Sequence, residues 1–256
     1  MSASVTVNFS KIMGHRGAPS VAPENTLGGF RKAAELGARW IELDVSLLGD
    51  GTTVVHHDNS TDRCSDRQAS LDDLTTAELS GINNAALFPD WPAEPVPTLR
   101  QVLDLFNELD LGMNLEIKDH GVPAEDIIRP IIAELEANFN DYSRLVVSSF
   151  SYELLACFHR LAPQVPLGLL YDELPDNWQD QARALNAFSI HLDWQNLSYN
   201  QTRAVKDAGY PIFCWTANDP EAFKSLWHWG VDAVISNNPQ DFFAADHDNL
   251  CPPENG

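Results

Sequence analysis

The sequence predicts an α/β protein, a TIM (β/α)₈ barrel with a small insertion after its second strand. Three observations carry that expectation. Eight short β-type runs recur along 256 residues, amphipathic helical stretches lie between them, and a chain of this length buries one sizeable core. Periodicity alone does not show that such a sheet closes, so a doubly wound open sheet is the competing arrangement.

The strands are read from short apolar runs bounded by turn residues, and the helices from apolar positions recurring at 3.6-residue spacing. The first strand, 12–14, precedes a helical pattern at 27–36, and the second is Trp-Ile-Glu-Leu-Asp-Val at 40–45. A further β segment at 53–56 leads into 58–97, where Asp, Ser, Asn and Pro dominate and which ends in Phe-Pro-Asp-Trp-Pro-Ala-Glu-Pro-Val-Pro. That stretch breaks the alternation and reads as an insertion lying over one end of the barrel. Regular order resumes with a helix at 99–109, a strand at 113–118, a helix at 127–138, a strand at 145–150 and a helix at 152–161. Strands at 166–171 and 188–192 follow, then a helix at 200–208, a strand at 212–217, a helix at 221–229 and a strand at 233–236. One domain, 11–245, accounts for all of this, and the tail after Asp246 is expected to fray.

Composition narrows the partners. The chain is 44% hydrophobic and 9% aromatic, as globular proteins are, but its formal net charge is −21. That charge argues against nucleic acid and against stable association with an anionic membrane surface. It also repels an anionic substrate at long range, so a phosphate site needs local positive charge. Cys64, Cys157, Cys214 and Cys251 show no CxxC spacing and read as unpaired thiols of a reducing compartment. The start of the chain has no apolar signal core, and no run is long enough to cross a bilayer, so cytoplasmic is the expectation. Nothing specifies an oligomeric state.

The chemistry concentrates near the strand ends, where barrel enzymes place their sites. Residues i and i+2 of a strand share a face, so Glu42 and Asp44 point one way, as do Glu116 and Lys118. A lone Glu-x-Asp would read as an ion pair at the barrel mouth. With Glu116 on the neighbouring strand and His15 before it, three carboxylates converge and raise one another's pKa, a conflict that one divalent cation, Mg²⁺ or Ca²⁺, resolves. Three carboxylates and a divalent ion sum to about −1, and Arg16 with Lys118 brings the pocket to about +1, a match for one phosphodiester. Arg16 suits phosphate oxygens as a bidentate fork. His15 and His57 are the acid/base candidates; adjacent His56 faces the other way if the segment is extended. His191 reads as a core histidine, and His120, His159 and His228 as surface or packing residues. Phe150 and Trp215, at strand ends, are candidates to wall the pocket against a small substrate's carbon skeleton.

These residues resemble the glycerophosphodiester phosphodiesterase family. The matching pieces are His-Arg-Gly at 15–17, Pro-Glu-Asn-Thr at 23–26, Ile-Glu-Leu-Asp at 41–44, Asp-Gly at 50–51, His-Asp at 57–58, Leu-Glu-Ile-Lys at 115–118, Ser-Ser-Phe at 148–150, Trp-Thr-Ala-Asn at 215–218 and Gly-Val-Asp-Ala-Val-Ile-Ser at 230–236. The resemblance implies cleavage of deacylated phospholipid diesters to sn-glycerol 3-phosphate and an alcohol, with a divalent metal, Mn²⁺ being a third candidate. Carried over by position, it makes His15 and His57 the acid/base pair, Glu42, Asp44 and Glu116 metal ligands, and Arg16 and Lys118 phosphate contacts. Three departures stand out: Ser-Leu-Leu-Gly-Asp-Gly at 46–51 lacks the family's lysine, Arg63-Cys64-Ser65 replaces Arg-Thr-Thr, and Ser236-Asn237 replaces Thr-Asp.

The reaction so implied is an in-line displacement in which one histidine deprotonates water or the glycerol 2-hydroxyl and the other protonates the departing alcohol. Two rivals remain at this level. A phospholipase-type barrel akin to sphingomyelinase D or phosphatidylinositol-specific phospholipase C would act on membrane lipid, which the acidic charge disfavours. A catalytically silent binding barrel would be expected to have lost a histidine or an acid, and all five are present.

Overall fold

In the computed structural model, residues 5–139 and 141–250 are described. The expected strands form as β1 (Ile12–His15), β2 (Trp40–Leu47), β4 (Gly112–Ile117), β5 (Leu145–Ser149), β6 (Leu167–Tyr171), β7 (Ser189–Asp193), β8 (Ile212–Trp215) and β9 (Ala233–Ser236). The extra β segment is β3 (Thr53–Val55), antiparallel to the end of β2. Each barrel strand is parallel to its neighbours, and β1 pairs with both β2 and β9. That double pairing closes an eight-stranded parallel barrel and excludes the open sheet.

Alternation along the strands sorts the core into two shells. Ile41, Leu43, Met113, Leu115, Val147, Ile190 and Val234 face outward and are buried against the helices. Met13, Trp40, Val146, Phe213, Ala233 and Ile235 pack inside the barrel, which makes it a filled core rather than a pore. Between the strands lie α1 (Leu27–Glu35), α3 (Leu99–Glu108), α4 (Ala124–Asn138), α5 (Tyr152–Leu161), α6 (Trp178–Ala184), α7 (Tyr199–Asp207) and α8 (Pro220–Trp229). Phe30 of α1 meets Phe106 of α3 edge-to-face at 5.3 Å, both fully buried. Helix starts follow side-chain chemistry: Thr98 and Gln101 form a capping box on α3, Ser198 and Gln201 another on α7, and Asp219 with Pro220 opens α8. Gly230, at φ 104°, ends α8 in the left-handed conformation that glycine adopts without penalty.

Three differences from expectation stand out, the first two with local causes. Helix α4 begins at Ala124 because Glu125 and Asp126, acidic residues in the first turn, extend it ahead of its apolar stripe. Helix α6 carries little apolar signal, since it buries only Trp178 and Ala182. The tail after Asp246 is helical as far as Leu250, the end of α9 (Pro239–Leu250), rather than frayed from its start. Residues 251–256, with Cys251, lie outside the described residues. Cys64, Cys157 and Cys214 are buried free thiols.

The insertion has its own small apolar cluster, in which Leu71, Leu74, Leu79 and Ile82 pack on Leu48, Val54 and Val96. Asp50 joins it to the barrel by accepting from the Thr76 N–H (2.8 Å) at the start of α2 (Thr76–Leu79). That contact gives the Asp-Gly loop a structural role. No helix among the described residues is long and apolar enough to cross a membrane.

Candidate active site

Register places the acidic residues side by side. Asp44 of β2 is level with Glu116 of β4, and Glu42 is level with Asn114. Glu42, Asp44 and Glu116 are buried, and one oxygen from each lies within 4.8 Å of the others. Burial first, then the Asp44 and Glu116 carboxylates, pushes Glu42 well above the ordinary carboxylate range. Burial and the Asp44 charge lift Glu116 to about 7. Asp44 goes the other way: burial would raise it, but Arg16 and Lys118 outweigh that and hold it low. Glu42 Oε1 and Asp44 Oδ1 have no hydrogen-bond partner among the described residues. Crowded hard oxygen donors with unused lone pairs fit a divalent cation.

The loop after β1 brings in the guanidinium. Arg16 has φ 52° and Gly17 φ 103°. A side chain such as arginine adopts this region at a cost of order 1–3 kcal/mol and holds it only where neighbours enforce it. Here the Arg16 N–H donates to the Glu42 carbonyl at 2.8 Å and to its Oε2 at 3.1 Å. Its Nε then sits 3.1 Å from Asp44 Oδ2, and Nη1 donates to Glu24 Oε1 at 3.0 Å. Lys118 donates to Glu116 Oε1 at 2.6 Å and lies 3.6 Å from Asp44.

Pro-Glu-Asn-Thr supports this arrangement. Asn25, itself at φ 52°, donates from Nδ2 to Asp44 Oδ2 at 2.8 Å. Thr26 caps α1 by accepting from the Gly29 N–H. A Cβ on Gly29 would run into the Pro23 carbonyl oxygen, so glycine is required by this close approach.

His15 and His57 are each held by Nδ1. His15 Nδ1 pairs with Asn237 Oδ1 at 2.6 Å, leaving Nε2 3.7 Å from Glu42 Oε2. Burial, then Arg16, lowers His15 to about 4. His57 Nδ1 pairs with Asp58 Oδ1 at 2.7 Å, whereas His56 turns away to the Ser60 carbonyl at 2.9 Å. His191 is buried, with Nε2 on Ser189 Oγ at 2.8 Å and its ring 4.7 Å from Phe213. His120 is half-buried and bonds Ser46 Oγ at 3.1 Å. All the residues nominated from sequence except Asp44 line one cavity of about 110 Å³ at the strand ends; Asp44 is fully buried within the carboxylate group. Phe150, exposed just after β5, and Trp215 meet edge-to-face at 5.4 Å on its wall.

Several groups were missed by the sequence reading. Arg63 of the insertion donates from Nε to Asp58 Oδ2 at 2.7 Å and from Nη1 and Nη2 to both oxygens of Glu24, at 2.8 and 2.7 Å. It therefore ties the carboxylate that orients His57 to the one that orients Arg16. Burial would raise Glu24, but Arg63 and Arg16 overcome this and bring it from 4.5 to about 2. A depressed carboxylate stabilises the fold above its unfolded pKa, and that contribution fades as pH falls from about 4.5 toward 2. Arg63→Met is expected to lose on the order of 1–3 kcal/mol at pH 7. Urea unfolding should show the gap to wild type narrowing by pH 3; a gap equal at both pH values contradicts the linkage. Asn114 was also missed, although it stands two residues before Glu116 and so shares its face.

Known proteins resemble this chain over most of its length. The family described as the glycerophosphoryl diester phosphodiesterase family matches residues 15–241. A glycerophosphodiester phosphodiesterase of Caldanaerobacter subterraneus subsp. tengcongensis is 32% identical over 231 residues, covering 90% of this chain and 94% of that protein. The structure of an Oleispira antarctica phosphodiesterase in complex with the product sn-glycerol-3-phosphate aligns with a TM-score of 0.87 at 29% identity, over 93% of this chain and 97% of that one. A Thermotoga maritima glycerophosphodiester phosphodiesterase aligns with a TM-score of 0.74 at 27% identity, over 93% and 98%.

Proposed function

This chain belongs to the glycerophosphoryl diester phosphodiesterase family, and from that premise we propose that it is a metal-dependent hydrolase cleaving glycerophosphodiesters to sn-glycerol 3-phosphate and an alcohol. The observation that carries this reading is the gathering of three carboxylates, two cations and two imidazoles around one small cavity. Residues 11–245 act as one catalytic domain, with 58–97 as its insertion. The buried free thiols support a cytoplasmic setting.

Glu42, Asp44 and Glu116 hold the cation, Mg²⁺ or Ca²⁺ with Mn²⁺ a third candidate. When bound, it supplies Lewis-acid neutralisation of phosphoryl charge. Arg16 and Lys118 bind the phosphate oxygens. The partners of the two imidazoles divide their roles: Asn237 is neutral and Asp58 is anionic. Asp58 braces His57 at Nδ1, and His57 acts as the acid that donates a proton from Nε2 to the departing alcohol oxygen. His15 stays neutral and takes the proton of the nucleophile, water or the glycerol 2-hydroxyl, at Nε2. The bond from nucleophile oxygen to phosphorus forms as the bond to the alcohol oxygen breaks; where the 2-hydroxyl attacks, the product is a cyclic phosphate, which water then opens to sn-glycerol 3-phosphate with the two imidazoles exchanging roles. Phe150 and Trp215 wall the cavity against the substrate's carbons.

The test is incubation with glycerophosphocholine, glycerophosphoethanolamine and glycerophosphoglycerol, and separately with intact phospholipid vesicles. Release of sn-glycerol 3-phosphate from the soluble diesters alone is the expected result. Release from none of them, or turnover of vesicle lipid only, overturns the reading.

A further inference from the structure

One histidine near the barrel mouth has no part in this chemistry. Ser46 lies two residues beyond Asp44 on the same face of β2 and is fully buried. Its hydroxyl donates to the His56 carbonyl at 2.7 Å, and the same Oγ lies 3.1 Å from Nε2 of His120, three residues past the end of β4. A serine hydroxyl has one proton, and the carbonyl takes it. The contact with His120 therefore requires Nε2 to carry hydrogen and donate. Burial first, then Lys118 and His57, lowers the His120 pKa and keeps the ring neutral near pH 7. In a neutral ring with hydrogen on Nε2, Nδ1 is an acceptor. No protein donor meets it among the described residues. Because Ser46 grips both groups, the His120 ring stands beside the peptide that joins His56 to His57, and His57 lines the cavity.

We propose that His120 is a specificity-determining residue whose Nδ1 accepts a hydrogen bond from a hydroxyl on the departing alcohol, so that the preferred leaving group is a neutral polyol. The proposal rests on the glycerophosphodiesterase reading and deepens it by naming the class of alcohol. In that reading His57 gives its proton to the departing oxygen, which places the alcohol on the His57 side of the phosphate, where His120 stands. Lys118, two residues before His120, carries positive charge on the cavity wall and disfavours a cationic alcohol there. Glycerol or inositol as the alcohol brings O–H donors without charge. Esterified choline brings a charge and neither O–H nor N–H. It leaves Nδ1 unpaired, which is how a polar site rejects an analogue lacking a hydroxyl.

The test is kcat/KM of the full chain, in saturating Mg²⁺ or Ca²⁺, on the 2-hydroxyethyl and n-propyl esters of sn-glycerol 3-phosphate. These two alcohols match in size and differ by a hydroxyl against a methyl. Wild type is expected to prefer the hydroxyethyl ester by about tenfold. His120→Phe, a ring without nitrogens, is expected to lose about fivefold on that ester and leave the n-propyl ester unchanged. His120→Gln offers Ser46 an N–H and the substrate an oxygen, so it is expected to retain the preference. His120→Ala is the second removal variant should His120→Phe fold poorly by circular dichroism. An undiminished preference in both removal variants overturns the assignment. Equal losses on both esters, the mark of a mere brace for His57, overturn it too, as does a His120→Gln variant with no preference left. A wild type that hydrolyses both esters alike overturns it while leaving the activity standing. A wild type inert toward every glycerophosphodiester overturns the reading beneath it.

Discussion

His57→Ala is expected to lower kcat for glycerophosphodiester hydrolysis by about 10²–10⁴, the usual worth of a positioned acid or base, while the fold stays intact. The side chain is 31% exposed and, among the described residues, its hydrogen-bond partner is the adjacent Asp58, so its removal opens no core cavity. His15→Ala is expected to cause a loss of the same size through the other proton transfer. Asp58→Asn, which keeps a hydrogen-bond partner for Nδ1 but removes the charge beside it, should fall between wild type and His57→Ala. Steady-state kinetics with circular dichroism on each variant is the check. Wild-type turnover in either alanine variant would remove that imidazole from the mechanism.

The second large effect concerns the carboxylates, and its sign depends on metal. Chelation is expected to abolish turnover, and readdition of Mg²⁺, Ca²⁺ or Mn²⁺ to restore it. Binding that favours the folded state adds about 2.7 kcal/mol at a hundredfold excess over Kd, so Tm should climb with metal concentration. Glu42→Gln should separate stability from function. Its carboxylate is penalised by burial and by two like charges, so the variant without metal should melt no lower than wild type. With metal, wild type should gain Tm and Glu42→Gln should gain little, with turnover lost. An equal metal-induced rise in both proteins would take Glu42 out of the ligand set.

Much of this was legible because the barrel imposes a strict parity on its strands. Once Glu42 and Asp44 were placed on one strand and Glu116 on the next, the interior face and the carboxylate convergence followed, and the register bears this out. The eight strands were legible for the same reason. Helix α6 was not, since a polar helix that buries only Trp178 and Ala182 leaves almost no periodic trace. The groups that orient the site were hidden by chain distance. Arg63 reaches back 39 positions to Glu24, and Asn237 reaches His15 across 222. Neither pairing has a local pattern, and both depend on tertiary closure. Pro-Glu-Asn-Thr marked the site without revealing that its asparagine holds Asp44 and its threonine starts α1.

The pairing of His15 with Asn237 also has a consequence for biosynthesis. A nascent chain that has left the ribosome as far as residue 118 already carries the three acids, both imidazoles, the arginine and the lysine. It lacks the last strand, which seals the ring against β1 and is followed at once by the amide that aims His15. Competence to cleave substrate therefore arrives abruptly, once residue 237 is in place, and any truncation before it leaves the chemistry encoded but unaimed.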